Sequence, residues 1–140
     1  ECDFVASRPS VCKECCRQQE YRWRCTLRGS MKTMLLGARS RSAVRGMKCT
    51  ITFDDLLDML LTQEGRCFYS GVPLECCLPH SHWRVSLERF DNEKGYTRDN
   101  VALVAAEFNT PDYSRNRGIA VVHGTAQWSR SKVHQVWGVM

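Results

Sequence analysis

The stretch from Val85 to Asn109 constrains the fold of this chain most. Val85–Phe90 reads as a β-strand, Asp91–Asp99 as a loop holding Gly95, and Asn100–Val104 as a second strand. Ala105–Asn109 is short, compatible with a helix and stopped by Pro111, whose ring cannot continue one. Strand, loop, strand and short helix in so few residues predict a compact ββα unit.

Upstream, Thr52-Phe53-Asp54-Asp55 fits a capping-box start, and Phe53, Leu56, Leu57, Leu60 and Leu61 follow at helical spacing as one apolar face. Asp54, Asp55 and Asp58 fall in the first turns of that helix, where its dipole favours carboxylates, so they read as solvated helix-start charges rather than catalytic acids. Gly65-Arg66 ends the helix, Cys67–Leu74 reads as a short strand and turn, and Glu75–His82 is irregular around Pro79. Nearer the N-terminus, Lys13–Leu27 lacks Pro and Gly and predicts a helix, with Gly29-Ser30 as its punctuation. Met31, Met34, Leu35 and Ala38 then form the apolar face of a second helix ending near Arg45-Gly46, and Lys48–Thr52 is an extended lead-in. Downstream, Asn116-Arg117-Gly118 reads as a turn, and Ser129–Trp137 as a helix capped by Ser129. The expected class is α+β. Residues 1–50 form a Cys-rich, basic helical segment, and residues 51–140 hold the ββα unit and a tail.

Charge separates the same two regions. Between Arg8 and Lys48 there are eleven Lys and Arg against two acids, whereas the remainder carries nine bases against thirteen acids. A basic stripe beside a near-neutral body points to a polyanion, nucleic acid ahead of a membrane surface, with Arg24, Arg28, Lys32, Arg39, Arg41 and Arg45 as candidate contacts. The plainer alternative is a solvated helical face. No apolar stretch is long enough to span a bilayer.

The 140 residues include nine cysteines, an odd number, and no secretory segment opens the chain. Metal ligation in a reducing intracellular compartment is therefore favoured over a disulfide framework. Cys12-Lys-Glu-Cys15 is a C-x2-C pair whose thiolates can bind one Zn²⁺ from a single turn, with Cys2 as a third ligand. Cys16, a distant His or a residue outside this sequence is left for the fourth place. The alternative is a set of buried free thiols.

Cys67-Phe68-Tyr69-Ser70-Gly71-Val72-Pro73-Leu74, Ser86-Leu87-Glu88-Arg89-Phe90-Asp91, Gly95-Tyr96-Thr97, Asp99–Val104 and Glu107-Phe108-Asn109 together resemble the HNH (ββα-metal) endonuclease superfamily. The likeness is to its small zinc-bearing members and covers Cys2 to Asn109. It implies an HNH core preceded by a zinc-ribbon-like segment. It makes Glu88 the acid that ligates a divalent Mg²⁺ or Mn²⁺ and Asn109 the helix ligand. Asn100 becomes the residue that pins the loop. Arg89 stands where the family usually has its general-base His, yet a guanidinium stays protonated and cannot take a proton from water. Arg89 is then expected in the same cleft as a phosphate clamp, with Tyr69, His80 or His82 as the base. Ser70, Ala105 and Phe108 stand where members with a second zinc carry Cys, so the resemblance does not extend to that zinc.

Two functions follow. One is a metal-dependent endonuclease cleaving phosphodiester bonds, in DNA more than RNA. The other is a non-catalytic zinc module binding nucleic acid, for example within an organellar ribosome or another ribonucleoprotein. A homodimer or a larger assembly is compatible with either, in an organelle or the nucleus.

Overall fold

The structure, a computed structural model, describes residues 4–5, 8–81, 83–109 and 138. Cys2, His82 and the tail elements expected over 116–118 and 129–137 lie outside the described residues. The architecture is α+β. Strand β1 (Phe4–Val5) pairs antiparallel with β2 (Arg8–Cys12), which runs directly into helix α1 (Lys13–Arg24). Helices α2 (Leu27–Arg45) and α3 (Phe53–Thr62) follow. The antiparallel hairpin β3 (Val85–Arg89) and β4 (Val101–Ala105) then leads into α4 (Ala106–Asn109).

Helices α1 and α2 part at Cys25-Thr26 rather than at Gly29-Ser30. Thr26 Oγ1 accepts the Gly29 amide at 3.0 Å and donates to the Trp23 carbonyl at 2.7 Å, so a hydroxyl cap starts α2 earlier than the glycine signal suggested. Gly29 serves close approach instead, being buried in the first turn, where a Cβ would overlap the Trp23 carbonyl. In α3 the capping box forms as expected, with Thr52 N donating to Asp55 Oδ2 at 2.8 Å and Asp55 N to Thr52 Oγ1 at 3.2 Å. The face that α3 buries is centred on Leu56 and Met59, and Leu61 points to solvent.

The hairpin separates two apolar clusters. On one face, Val85, Leu87, Val101 and Leu103 pack against Met31, Leu35 and Ala38 of α2, Leu56 and Met59 of α3, and Tyr96. The segments before and after residue 50 thus differ in sequence character yet share one core. The second cluster, reached by Val104 from the other face and by Ala105 and Phe108 at the strand end, closes over Cys67, with Tyr69, Val72 and Leu74 at the margin. Here Cys67 Sγ accepts the Ala105 amide at 3.3 Å.

Cys67–Leu74 is a turn and not a strand. Cys67 N bonds Val72 O at 2.8 Å, Gly71 takes φ +74°, and only Arg66 and Pro73 form a β-bridge. Residues 48–50 lie along the hairpin loop, where Tyr96 N bonds Lys48 O at 2.9 Å and Thr50 N bonds Tyr96 O at 3.0 Å. Gly95 permits this approach, since a Cβ there would overlap the Lys48 backbone. Among the described residues no helix is long and apolar enough to cross a membrane.

Gln63 closes the open edge of β4. Its Oε1 accepts Leu103 N at 3.0 Å and its Nε2 donates to Leu103 O and to Arg66 O, both at 2.8 Å, so one side chain substitutes for a neighbouring strand. Gln63→Leu is expected to lower the unfolding free energy by about 1–3 kcal/mol, because the Leu103 amide loses its partner and the Leu103 carbonyl keeps only the Phe68 amide at 3.0 Å, while the volume is kept. Urea denaturation checks this, and a change within about 0.5 kcal/mol would show that solvent serves the edge equally well.

Candidate active site

Alternation along β3 sorts the candidate residues between two faces. Leu87 and Arg89 face the cluster under α2 and α3, whereas Ser86 and Glu88 face the turn carrying Tyr69. Glu88 is 1% exposed and stands opposite Ala102 in the hairpin register. Burial pushes its carboxyl up to about 7, against a hydrogen bond from Tyr69 and the charge of Arg89, both of which favour the ionised form. Its Oε2 is buried with no hydrogen-bond partner. An acidic oxygen so placed is electrostatically unsatisfied and suits either a proton or a cation.

Asn109 approaches the same face from α4. Its Nδ2 donates to Ser86 Oγ at 2.8 Å and to Leu87 O at 3.1 Å, which fixes the amide against β3 and leaves Oδ1 available as an acceptor. Carboxylate and amide oxygens are hard donors of the kind that Mg²⁺ or Mn²⁺ prefers. These residues fit a divalent cation on the chemistry of the donors and on the orphaned Oε2.

Asn100, 5% exposed, holds the hairpin loop. Its Oδ1 accepts Asp91 N at 2.9 Å, and its Nδ2 donates to Asp91 O at 3.0 Å and Gly95 O at 2.9 Å. Three bonds from one amide replace a longer turn's own backbone pairing and set the end of β3 where Glu88 sits.

Arg89 corrects the expectation of a phosphate clamp beside Glu88. Its side chain lies on the opposite face, where Nη1 donates to Asn92 O at 2.9 Å and Lys94 O at 3.0 Å and lies 3.2 Å from Met47 Sδ. The guanidinium also sits 5.1 Å from the Tyr96 ring centroid. Neighbours in a strand point to opposite faces, so residue 89 cannot share the Glu88 cleft without breaking the pleat.

Tyr69 reaches Glu88, but as a donor. Burial first, then the Glu88 charge and the bond to it, hold the phenol well above its ordinary range. A phenol kept protonated orients the carboxylate and does not take up a proton near neutral pH, which corrects its candidacy as base. His80 is exposed and stacks on Tyr21 of α1, with ring centroids 5.8 Å apart. His82 lies outside the described residues.

Cys12 caps α1, its Sγ accepting the Cys15 amide at 3.3 Å, so both residues of the C-x2-C pair share one helix start. The third expected zinc ligand, Cys2, lies outside the described residues. Among the described residues no group of three His, Cys, Asp or Glu side chains is arranged to hold a metal ion.

Five of the six basic candidates lie on α2, and Arg24 ends α1. Arg28 and Lys32 each lie 5.5 Å from the centroid of the Phe53 ring. Arg39 and Arg45 are exposed on α2. Arg24 and Arg41 instead line a cavity together with Arg84 and Ser86, two residues absent from the candidates drawn from sequence. Isolated from any basic run, Arg84 carries no local signal of this role. Comparison with protein-family models, with curated proteins and with solved structures finds no match to this chain.

Proposed function

We propose that this protein is a divalent-metal-dependent endonuclease of the HNH type, acting on phosphodiester bonds in nucleic acid, DNA ahead of RNA. The observation that carries this reading is the buried Glu88 carboxylate, whose Oε2 has no partner, on the strand whose Ser86 and Leu87 hold the Asn109 amide. Hairpin and short helix follow one another in the ββα order that the resemblance implies.

In this reading Glu88 and Asn109 hold Mg²⁺ or Mn²⁺ through oxygen atoms, and Tyr69 fixes the carboxylate by donating to it. A cation bound there supplies Lewis-acid polarisation of the scissile phosphate and charge neutralisation at the leaving oxygen. Hydrolysis forms a bond from the water oxygen to phosphorus and breaks the bond from phosphorus to the leaving oxygen. The water's proton needs an acceptor and the leaving oxygen a donor. His82 is the remaining candidate acceptor, since imidazole is the side-chain type suited to taking a proton at neutral pH. Arg89 and Asn100 hold the loop and take no part in the chemistry. Cys12 and Cys15, with Cys2, hold a structural Zn²⁺ that fixes β2 and α1.

A second reading is favoured by Arg89, since the position of the usual base is given over to loop packing. The same fold then binds nucleic acid without cutting it. Plasmid nicking with Mg²⁺ or Mn²⁺ separates the two. Wild type should nick, and Glu88→Gln and Asn109→Ala should lose at least about a hundredfold in rate while binding DNA normally, as expected when an electrostatic contribution of roughly 3 kcal/mol is removed. Binding without nicking in the wild type would install the second reading.

A further inference from the structure

A cavity of about 330 Å³ opens between α2 and the edge of β3 that faces away from β4. Three elements each contribute an arginine to its lining: Arg24 at the end of α1, Arg41 on α2, and Arg84 just before β3. Glu75 is the single acid in its lining, and Ser30 and Thr33 add hydroxyls. None of the three arginines has an ion-pair partner among the described residues. Arg41 donates through Nε to Tyr96 OH at 3.0 Å, and Arg84 through Nη1 to Ser81 O at 3.0 Å, both neutral acceptors. Three cations against one acid, gathered without mutual compensation, leave a concave site with an excess of positive charge.

The position of this groove matters as much as its charge. In the hairpin register Leu87 belongs to a pair whose backbone groups point away from β4, toward the free edge. The Leu87 carbonyl on that edge is the one that Asn109 holds, and Leu87 and Ser86 also line the groove. The groove therefore runs along the edge of β3 from Arg84 to Leu87, whose carbonyl Asn109 holds and which directly precedes Glu88. Four strand residues cover roughly 13 Å. A nucleic-acid strand rises about 3.4 Å per nucleotide, so the arginines lie a few nucleotides from the proposed point of cleavage.

We propose that this groove is the track for the phosphodiester backbone, with Arg84, Arg24 and Arg41 as its phosphate contacts. The inference rests on the nucleic-acid reading above and replaces Arg89 with Arg84 as the guanidinium that meets phosphate. Guanidinium suits this task because its planar donors can pair with phosphate oxygens bidentately. Glu75 on one wall repels phosphate from that side and leaves the arginine side as the path.

The test is binding of a short labelled DNA duplex by the full chain, measured by anisotropy without divalent metal across a range of salt concentrations. Arg84→Gln should weaken binding and reduce the slope of log affinity against log salt by about 1, and Arg24→Gln with Arg84→Gln by about 2. Ser30→Glu, which places a like charge against the backbone inside the groove, should weaken binding with the fold retained by circular dichroism. Arg98→Gln, an exposed charge elsewhere, should leave the slope unchanged. Wild-type slopes in Arg84→Gln and Ser30→Glu overturn the track, as does the absence of any binding by the wild type. Slopes reduced as expected in a protein that never nicks support the track and sink the nuclease. Nicking with an unaltered slope in Arg84→Gln does the reverse.

Discussion

Glu88→Gln is expected to stabilise the metal-free protein at pH 8 and to erase a pH dependence that the wild type shows. The carboxyl is raised from 4.5 to about 7 in the folded chain, chiefly by burial. A carboxyl raised in this direction binds its proton more tightly folded than unfolded. Its stabilising protonated form is fully present below about pH 4.5 and is lost as pH rises through 7. The corresponding loss is about 3 kcal/mol for the metal-free wild type. The amide variant keeps the shape and carries no charge, so the difference between the two stability–pH curves isolates this group. Urea unfolding at a series of pH values in the presence of chelator measures it, and parallel curves would show that Glu88 is solvated and ordinary. Mn²⁺ adds an independent check. At pH 8 it should raise the melting temperature of the wild type by binding only the folded state, and leave that of Glu88→Gln unchanged. Equal shifts would move the cation elsewhere.

Arg89→Ala should destabilise the protein by about 3 kcal/mol. Removal of the guanidinium strips the carbonyls of Asn92 and Lys94 of a charged donor and removes the cation from the Tyr96 ring. Hydrogen bonds to charged groups contribute roughly 1.5–3 kcal/mol each, and the half-buried carbonyls recover part of that from water. The loss also removes a charge that favours ionised Glu88, so its carboxyl should move further up. Arg89→His, which introduces the residue the HNH family usually has there, should destabilise as well and should not raise the nicking rate, because the side chain at 89 lies on the Tyr96 face. Denaturant unfolding together with the nicking assay decides this. A fully stable Arg89→Ala that has lost DNA binding would return the guanidinium to the phosphate.

Much of the site could be found by reading along the chain. The order Glu88, Asn100, Asn109 needs only the succession of strand, loop, strand and helix, and each of those is specified by residues within a few positions of one another. The capping box of α3 is equally local. Alternation along β3 was enough, in principle, to separate Arg89 from Glu88, since adjacent strand residues cannot share a face. The start of α2 failed for a different reason: a hydroxyl cap at Thr26 outweighed the glycine signal, and Gly29 answers to the nearby Trp23 carbonyl instead.

What the sequence determined by itself is therefore the strand–loop–strand–helix succession, the capping box of α3 and the candidate acid, amide and loop-pinning residues, because periodicity and capping act within three or four residues. Docking alone decided the rest. Gln63 meets the edge of β4 forty residues away. Arg24, Arg41 and Arg84 come to one groove from three elements. The Glu88 carboxyl is raised because packing buries it, against the hydrogen bond from Tyr69 and the charge of Arg89. Each of these depends on which surfaces exclude water when helices and hairpin pack, and burial of that kind belongs to the assembled core and not to any local run of residues.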